Sequence, residues 1–304
     1  MAFCFAAAPS FAADDFVYHD SQKKAAADLR KHMKQRDEKV TIGIKAETDE
    51  KGLKKMIGRV VRKATKHTGK PAEGDYIAFQ YESYKGKAVT GMDGFTPVVI
   101  IEYELSYYDD ADQEAETDKK VSEIIESLGL EDKTNYEKIS AIYDYICDNV
   151  DFTVSADDDN ISRTAYSALV EGKAVCQGYC VSLYRLLLEA GIDNRIIFGD
   201  GVAPDGSKNA HTWNIVELHG EYYYVDVTWG DTADRNEYFL RPAGSGFEDT
   251  HIAGEEFTTE KFAEKYPMAK EEYRAENNGL LKKAIALAKK ITESFAGILS
   301  ADKG

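Results

Sequence analysis

The sequence predicts an α+β fold, and three observations support this prediction. Helical and strand-like patterns follow each other as α-β-α-β-β up to about residue 110. Helical patterns then dominate from 119 to 190, and strand-like patterns gather between 195 and 240. Such blocks, unlike a strict alternation of strand and helix, are typical of α+β proteins. The chain has 304 residues, 43% of them hydrophobic, which is enough for two domains.

Each element is predicted from the spacing of its apolar residues. In the N-terminal block, Leu29 and Met33 lie on one helical face, and residues 40–44 alternate as a strand does. Helices are predicted at 21–36, 50–67, 119–128, 134–149, 164–170, 176–190 and 270–298. Strands are predicted at 40–44, 76–84, 96–108, 195–198, 212–218, 222–227 and 237–240. The N-terminal block contains no convergent set of His, Cys and carboxylate residues, so we expect it to act as a scaffold or in recognition.

Charge and hydropathy exclude two kinds of partner. The net charge of −16 repels phosphate backbones, so nucleic acid is not expected as a partner. No run of apolar residues is long enough for a membrane span. The first 13 residues are apolar and contain Ser10-Phe11-Ala12, the small–x–small pattern of a leader-peptidase site. We expect this segment to be the remnant of a signal peptide, and the protein to be secreted or held at the cell envelope.

Two of the four cysteines stand in the stretch GKAVCQGYC, residues 172–180. Cys176 lies in the first turn of a predicted helix, where unpaired backbone N–H groups and the helix dipole favour an anion. The pKa of its thiol is therefore expected to fall, which makes the reactive thiolate more abundant. Cys180 follows one turn later and, like Cys147, is expected to be a small buried hydrophobic residue. Cys4 belongs to the predicted leader and leaves an odd number of thiols, so no closed disulfide framework is expected.

A two-residue His–Gly loop at 219–220 predicts a β-hairpin. In that register His211 opposes Thr228, and His211 and Asp226 are diagonal neighbours on one face of the sheet. Diagonal positions are about 7–8 Å apart at the backbone, within reach of an imidazole and a carboxylate. A three-residue loop would shift the register and put them on opposite faces. The hairpin thus predicts a His–Asp pair, for which an ordinary surface ion pair is the alternative.

Cys176, His211 and Asp226 have the residue types and the chain order of a nucleophile, a base and a group that orients the base. A zinc site formed by Cys176, Cys180 and His211 is the alternative chemistry, but no second cysteine pair accompanies it. We therefore expect no metal and no cofactor. His251 is expected to be a loop residue without a catalytic role.

Three sequence blocks carry a resemblance to a known family: TAYSALVEGKAVCQGYC, AHTWNIVEL and YYYVDVTWGD, all within residues 164–231. They resemble the transglutaminase-like core of the papain-type cysteine enzymes, and a looser similarity extends from about 134 to 267. The resemblance implies a helix bearing the nucleophilic cysteine, packed on an antiparallel sheet that bears histidine and aspartate. The domains it implies are a leader remnant (1–13), an N-terminal α+β domain (14–110), a catalytic domain (111–269) and a C-terminal helical extension (270–304).

The resemblance implies that Cys176 is the nucleophile, His211 the general base and acid, and Asp226 the carboxylate that orients it. The implied reaction is acyl transfer at an amide of a protein or peptide through a thioester. Water or a second amine would resolve the thioester, and hydrolysis is favoured. A non-catalytic cell-envelope binding module with the same fold is the alternative. Thr212 stands where the family has Ala and is expected to point away from the histidine. Further candidates for the oxyanion hole or the substrate cleft are Tyr166, Gln177, Tyr179, Trp213 and Trp229.

Overall fold

The structure is a computed structural model that describes residues 17–153 and 160–274. The helices are α1 (Gln22–Lys34), α2 (Glu50–Ala64), α3 (Asp75–Ala78), α4 (Ala111–Leu128), α5 (Asn135–Asn149), α6 (Ala165–Leu169), α7 (Cys176–Glu189), α8 (Val227–Thr232), α9 (Phe247–Thr250) and α10 (Glu260–Lys265). The strands are β1 (Tyr18–His19), β2 (Lys39–Lys45), β3 (Tyr81–Asp93), β4 (Thr96–Tyr107), β5 (Asp151–Phe152), β6 (Lys173–Ala174), β7 (Asn194–Val202), β8 (Lys208–Leu218), β9 (Glu221–Val225) and β10 (His251–Ala253).

Two four-stranded sheets organise these elements, and the predicted α+β fold is confirmed. The first has the strand order β1-β2-β4-β3, and the second has the order β10-β7-β8-β9. Both sheets are antiparallel except for the pairing of β1 with β2. Helices α1 and α2 pack on the first sheet, and α5 and α7 pack on the second. The predicted leader and residues 275–304, which include most of the helix predicted at 270–298, lie outside the described residues, and residues 270–274 are not helical.

Two predicted strands are wrong. The segment predicted as a strand at 76–84 begins with the helical turn α3, and its strand starts only at Tyr81. The segment 237–240 forms turns, and Leu240 has a φ of 48°, which no strand residue adopts. The predicted domain boundaries stay predictions.

Helix α7 is the central element of the second core, because it is buried along nearly its whole length. It begins at Cys176, directly after the extended residue Val175. Gly178 makes the close packing of this end possible, since a Cβ there would lie 2.7 Å from both the Ala174 Cβ and the Ser162 carbonyl oxygen. The sequence Cys-Gln-Gly therefore places the first turn of α7 firmly against the preceding chain.

The N-terminal block is bonded to α7 and β7. The Asp75 carboxylate accepts two hydrogen bonds from Arg195, at 2.6 and 3.0 Å, and one from the Ile196 backbone N–H at 3.0 Å. The Gln177 side-chain amide donates to the Phe79 carbonyl at 2.5 Å. These bonds fix the block against α7 and β7, and one of them holds the residue next to Cys176.

No helix within the described ranges is long and apolar enough to cross a membrane.

Candidate active site

The hairpin β8–β9 brings His211 and Asp226 together. Its loop is His219–Gly220, both with positive φ (60° and 88°), as the two-residue loop predicts. The register also agrees with the prediction, because Asn214 opposes Val225. Strand β9 ends at Val225, however, so the predicted pairing of His211 with Thr228 does not form.

Asp226 ends the strand because it caps helix α8. Its Oδ1 accepts hydrogen bonds from the backbone N–H groups of Thr228, at 2.9 Å, and Trp229, at 3.0 Å. An aspartate in this position satisfies the otherwise unpaired donors of the first helical turn. The cap fixes the rotation of the carboxylate and leaves Oδ2 for other partners.

Oδ2 of Asp226 accepts a 2.7 Å hydrogen bond from the Nε2 of His211. Both side chains are buried, and Asp226 is fully inaccessible to solvent. Burial alone would raise the pKa of Asp226, but hydrogen bonds from His211 and His251 outweigh it and lower this pKa. Burial alone would lower the pKa of His211, yet its bonds to Asp226 and Cys176 raise it. The pair therefore favours an imidazolium at neutral pH.

The Cys176 thiol lies close to His211, and both side chains line one cleft. Burial opposes its ionisation, but hydrogen bonds from His211 and from Thr212 lower its pKa below the ordinary value. Because Asp226 occupies Nε2 of His211, Nδ1 is the nitrogen left for the thiol. Val175 provides no side-chain cap, so the N–H groups of the first turn of α7 are free to favour negative charge. This arrangement can hold a thiolate–imidazolium pair.

Thr212 lies close to Cys176, a contact that the sequence did not indicate beyond the expectation that Thr212 points away from the histidine. Its hydroxyl is within hydrogen-bonding reach of the Cys176 and Cys180 sulfurs, and its backbone N–H also faces Cys176. It is buried, and its hydroxyl makes no hydrogen bond with the described residues, so it is available to donate to a thiolate at Cys176.

Replacing Thr212 with valine is expected to raise the pKa of Cys176 by about half to one unit, since one hydrogen bond to the thiolate is lost. The rate of Cys176 alkylation by iodoacetamide, followed across pH by mass spectrometry, would show its acid limb moving to higher pH. Thr212→Ser keeps the hydroxyl and is the matched control. An acid limb that is the same in the valine and serine variants would remove Thr212 from the site.

The two other described cysteines differ from Cys176. Burial raises the pKa of Cys147 to about 12, and burial also raises the pKa of Cys180. Both are free and buried, as expected. They serve as internal references for the reactivity of Cys176.

The five additional candidates for the oxyanion hole or the substrate cleft lie in different environments. Tyr166 interacts with Glu116 of α4, and the Gln177 amide is bonded to the N-terminal block, so neither is placed as an oxyanion donor. Tyr179 is fully buried and its hydroxyl lies 2.6 Å from the Val150 carbonyl oxygen.

The two tryptophans also differ. Trp213 is buried at 1% exposure and contacts the ring of His251 at 5.1 Å between centroids. Trp229 is half-buried, stacks on His211 at 5.1 Å between ring centroids and borders the cleft described below. Only Trp229 among the five is therefore placed where a substrate could touch it.

His251 is a site residue that sequence reasoning missed, and the expectation of an uninvolved loop residue is wrong. It begins β10, is fully buried in its side chain and places Nε2 2.9 Å from Oδ2 of Asp226. The contact depends on β10 pairing with β7, with Ile252 opposite Asp200. The short stretch Asp-Thr-His carries no local signal for such a distant pairing.

Among the described residues, only His211, Asp226 and His251 place three possible ligand atoms within 4.8 Å of one another. The two Nε2 atoms lie at hydrogen-bonding distance, 2.7 and 2.9 Å, from one carboxylate oxygen. Each of these nitrogens then carries a proton, and a protonated ring nitrogen is not a metal ligand. Cys176 and Cys180 join no such group. These residues do not fit a metal ion.

A cleft of about 370 Å³ opens onto Cys176 and His211. Apart from these two, its described lining is uncharged and includes Gly201 and Asn209. The apolar part of the lining consists of Phe152, Val175, Ala203, Ala210 and Trp229. The cleft can therefore accept an uncharged side chain next to the thiol.

Part of this chain is similar to known proteins. Residues 123–227 match the family model of the transglutaminase-like superfamily. A segment of 121 residues is 28% identical to the human (Homo sapiens) kyphoscoliosis peptidase and covers 36% of this chain but only 18% of that protein. The mouse (Mus musculus) kyphoscoliosis peptidase matches at 29% over the same shares. A solved structure described as a putative cysteine protease from Cytophaga hutchinsonii is similar at 13% identity and a TM-score of 0.34, over 57% of this chain and 69% of that one.

Proposed function

Because residues 123–227 match the family model of the transglutaminase-like superfamily, we propose that the chain is a cysteine-dependent acyl-transfer enzyme. One observation carries the proposal. A single imidazole, His211, is hydrogen-bonded through Nε2 to the buried carboxylate of Asp226 and also lies close enough to the Cys176 thiol to lower its pKa. Nucleophile, base and orienting group are the parts that thiol-based acyl transfer requires.

In the proposed reaction, the Cys176 thiolate attacks the carbonyl carbon of an amide. The negative charge that develops on the carbonyl oxygen is stabilised by the backbone N–H of Cys176 at the N-terminus of α7. The C–N bond then breaks, and His211 gives the proton on Nδ1 to the departing amine. A thioester remains on Cys176, and His211 returns to its neutral form with Nε2–H still held by Asp226.

The second half of the reaction removes the acyl group. His211 accepts a proton at Nδ1 from water, which attacks the thioester and releases a carboxylic acid and the Cys176 thiolate. We propose water as the usual acceptor, since the two curated relatives are named as peptidases. A second amine would enter in the same way and give a transamidated product.

The proposed substrates are proteins or peptides with an uncharged side chain next to the reacting amide. The support is the uncharged lining of the cleft, in which Phe152 and Trp229 offer aromatic surface. The secreted or cell-envelope location also belongs to this proposal, and it depends on the predicted leader at 1–13.

The test compares wild type with Cys176→Ala. Wild type is expected to hydrolyse members of a peptide library, to form adducts when a primary amine is added, and to lose both activities in the variant. Iodoacetamide at about pH 6 is expected to label Cys176 much faster than Cys147, whose pKa is raised to about 12. If Cys176 labels no faster than Cys147, and no peptide is turned over, the chain is a binding module with this fold.

A further inference from the structure

His251 is a second imidazole on the carboxylate of Asp226. Its Nε2 lies 2.9 Å from the same oxygen, Oδ2, that accepts the 2.7 Å bond from His211. Its ring stacks on Phe247 with 3.8 Å between centroids and lies 4.4 Å from the ring of Trp229. The imidazole is therefore held in one orientation inside the protein.

The surroundings of His251 determine which of its nitrogens donates. An ionised carboxylate only accepts hydrogen bonds, so Nε2 must carry a proton. Nδ1 lies 2.9 Å from the Thr250 hydroxyl oxygen and 3.2 Å from the Phe247 carbonyl oxygen. The Thr250 hydroxyl has one proton and also lies 3.1 Å from the Phe247 carbonyl oxygen, so it donates either to that oxygen or to Nδ1 of a neutral ring. When the ring is protonated, Nδ1 donates instead. Nε2 donates to Asp226 in both cases.

Asp226 uses all of its accepting capacity. Oδ1 accepts from the two backbone N–H groups of α8, and Oδ2 accepts from the two imidazoles. An ionised carboxylate has about four lone-pair sites, and here each has one donor. Asp226 is fully buried, so no water could replace a donor that is lost.

We propose that His251 is a positioning residue for acyl transfer, which holds Oδ2 of Asp226 against His211 and takes up part of its negative charge. This inference rests on the proposed function. Both imidazoles draw on one oxygen, so a donor lost at His251 leaves more negative charge for His211. His211 then holds its proton more tightly, and the carboxylate loses one of the four bonds that orient it.

The other titratable groups close to Asp226 do not adjust the proton affinity of His211 in this way. Tyr143 of α5, Cys180 of α7 and Tyr238 all have a pKa that burial raises, so they stay neutral where His211 titrates in the proposed site. Cys176 of α7 faces His211 directly. Among the described side chains outside the proposed triad, only that of His251 donates a hydrogen bond to Asp226.

The test compares His251→Leu, which removes the donor, with His251→Gln, whose amide N–H reproduces Nε2–H. The pKa of His211 is measured by NMR on histidine-labelled protein, and the pH profile of Cys176 alkylation by iodoacetamide is recorded for each variant. His251→Leu is expected to raise the pKa of His211 by about half to one unit. The upper step of the Cys176 alkylation profile is expected to move to higher pH by the same amount. His251→Gln is expected to leave both near wild type.

Three results would overturn the proposal: no shift in the leucine variant, an equal shift in both variants, or stoichiometric Zn²⁺ binding by wild type that depends on His251. Long-range ¹H–¹⁵N spectra of wild type give a further measurement that needs no variant, since a His251 without a proton on Nε2 also contradicts the proposal. Failure of the acyl-transfer function is separate. An unreactive Cys176 in wild type would end that function, while the titration of His211 would still decide the role of His251.

Discussion

Replacing Asp226 with asparagine is expected to lower the rate of acyl transfer by about 10³- to 10⁴-fold while the fold is kept. The reason is the number of hydrogen-bond acceptors on the side chain. Asparagine has one side-chain oxygen, and the backbone N–H groups of Thr228 and Trp229 already face Oδ1. The amide NH₂ would then point at the Nε2–H groups of His211 and His251, and donors would face donors.

The conflict changes the proton on His211. The conflict is removed when the His211 proton moves from Nε2 to Nδ1, because Nε2 then accepts a hydrogen bond from the asparagine amide. Nδ1 can then no longer accept a proton from Cys176, and the carboxylate that would stabilise the imidazolium is gone. The pKa of Cys176 rises as a result, because a hydrogen bond from the protonated His211 is one of the interactions that lower it.

Steady-state hydrolysis of a peptide found in the library screen measures this effect, and iodoacetamide labelling of Cys176 supports it. The matched control is Asp49→Asn, because Asp49 caps α2 through a 2.7 Å bond from the Gly52 N–H and contacts no histidine. Asparagine is as good a helix cap as aspartate, so the control should keep full activity. An Asp226→Asn variant as active as this control would mean that Asp226 acts only as a helix cap.

Local signals predicted the centre of the site. The His219–Gly220 loop sets the register of a hairpin whose strands are adjacent in sequence, so a short stretch of chain contains the information. Cys176 was placed by an equally local signal, the start of a helix. Such features depend on few distant contacts and can be predicted from residue type and spacing.

The predictions that were wrong concern features that depend on contacts between distant segments of the chain. His251 reaches Asp226 only because β10 pairs with β7, and nothing in its own neighbourhood specifies that pairing. The helical turn at Asp75–Ala78 was predicted as a strand from residue 76 onwards, yet Asp75 binds Arg195, which lies 120 residues away. Tertiary bonds of this kind override local preference.

A second large effect is expected on stability, from the buried guanidinium of Arg36. Its Nε donates to Asp109 at 2.7 Å, and its Nη2 donates to Glu114 at 2.7 Å. All three side chains are buried, with exposures of 2%, 0% and 9%. The cluster ties the end of α1 to the start of α4, where the N-terminal block meets the second core.

Arg36→Met is expected to lower the free energy of unfolding by about 3–5 kcal/mol, because the buried Asp109 loses its ion pair and the buried Glu114 keeps only the longer, 3.6 Å pair with Arg185. Lys24→Met is the control, since Lys24 forms an exposed pair with Asp20 and its loss should cost about 0–1 kcal/mol. Urea unfolding followed by circular dichroism measures both. Equal changes in the two variants would show that the Arg36 cluster adds no stability beyond a surface ion pair.

The destabilisation caused by Arg36→Met should also depend on pH. The titration of Glu114 determines whether it grows or shrinks as pH rises. Burial raises the pKa of this carboxyl from 4.5 to about 7, although Arg36 opposes the rise. The folded state therefore binds a proton more readily than the unfolded state, and this contribution to stability falls as pH rises from about 4.5 to 7. Without Arg36 the pKa rises further. The destabilisation by Arg36→Met should consequently be smaller at about pH 5 than at about pH 7.5, and a larger loss at the lower pH would contradict a buried carboxylate partner.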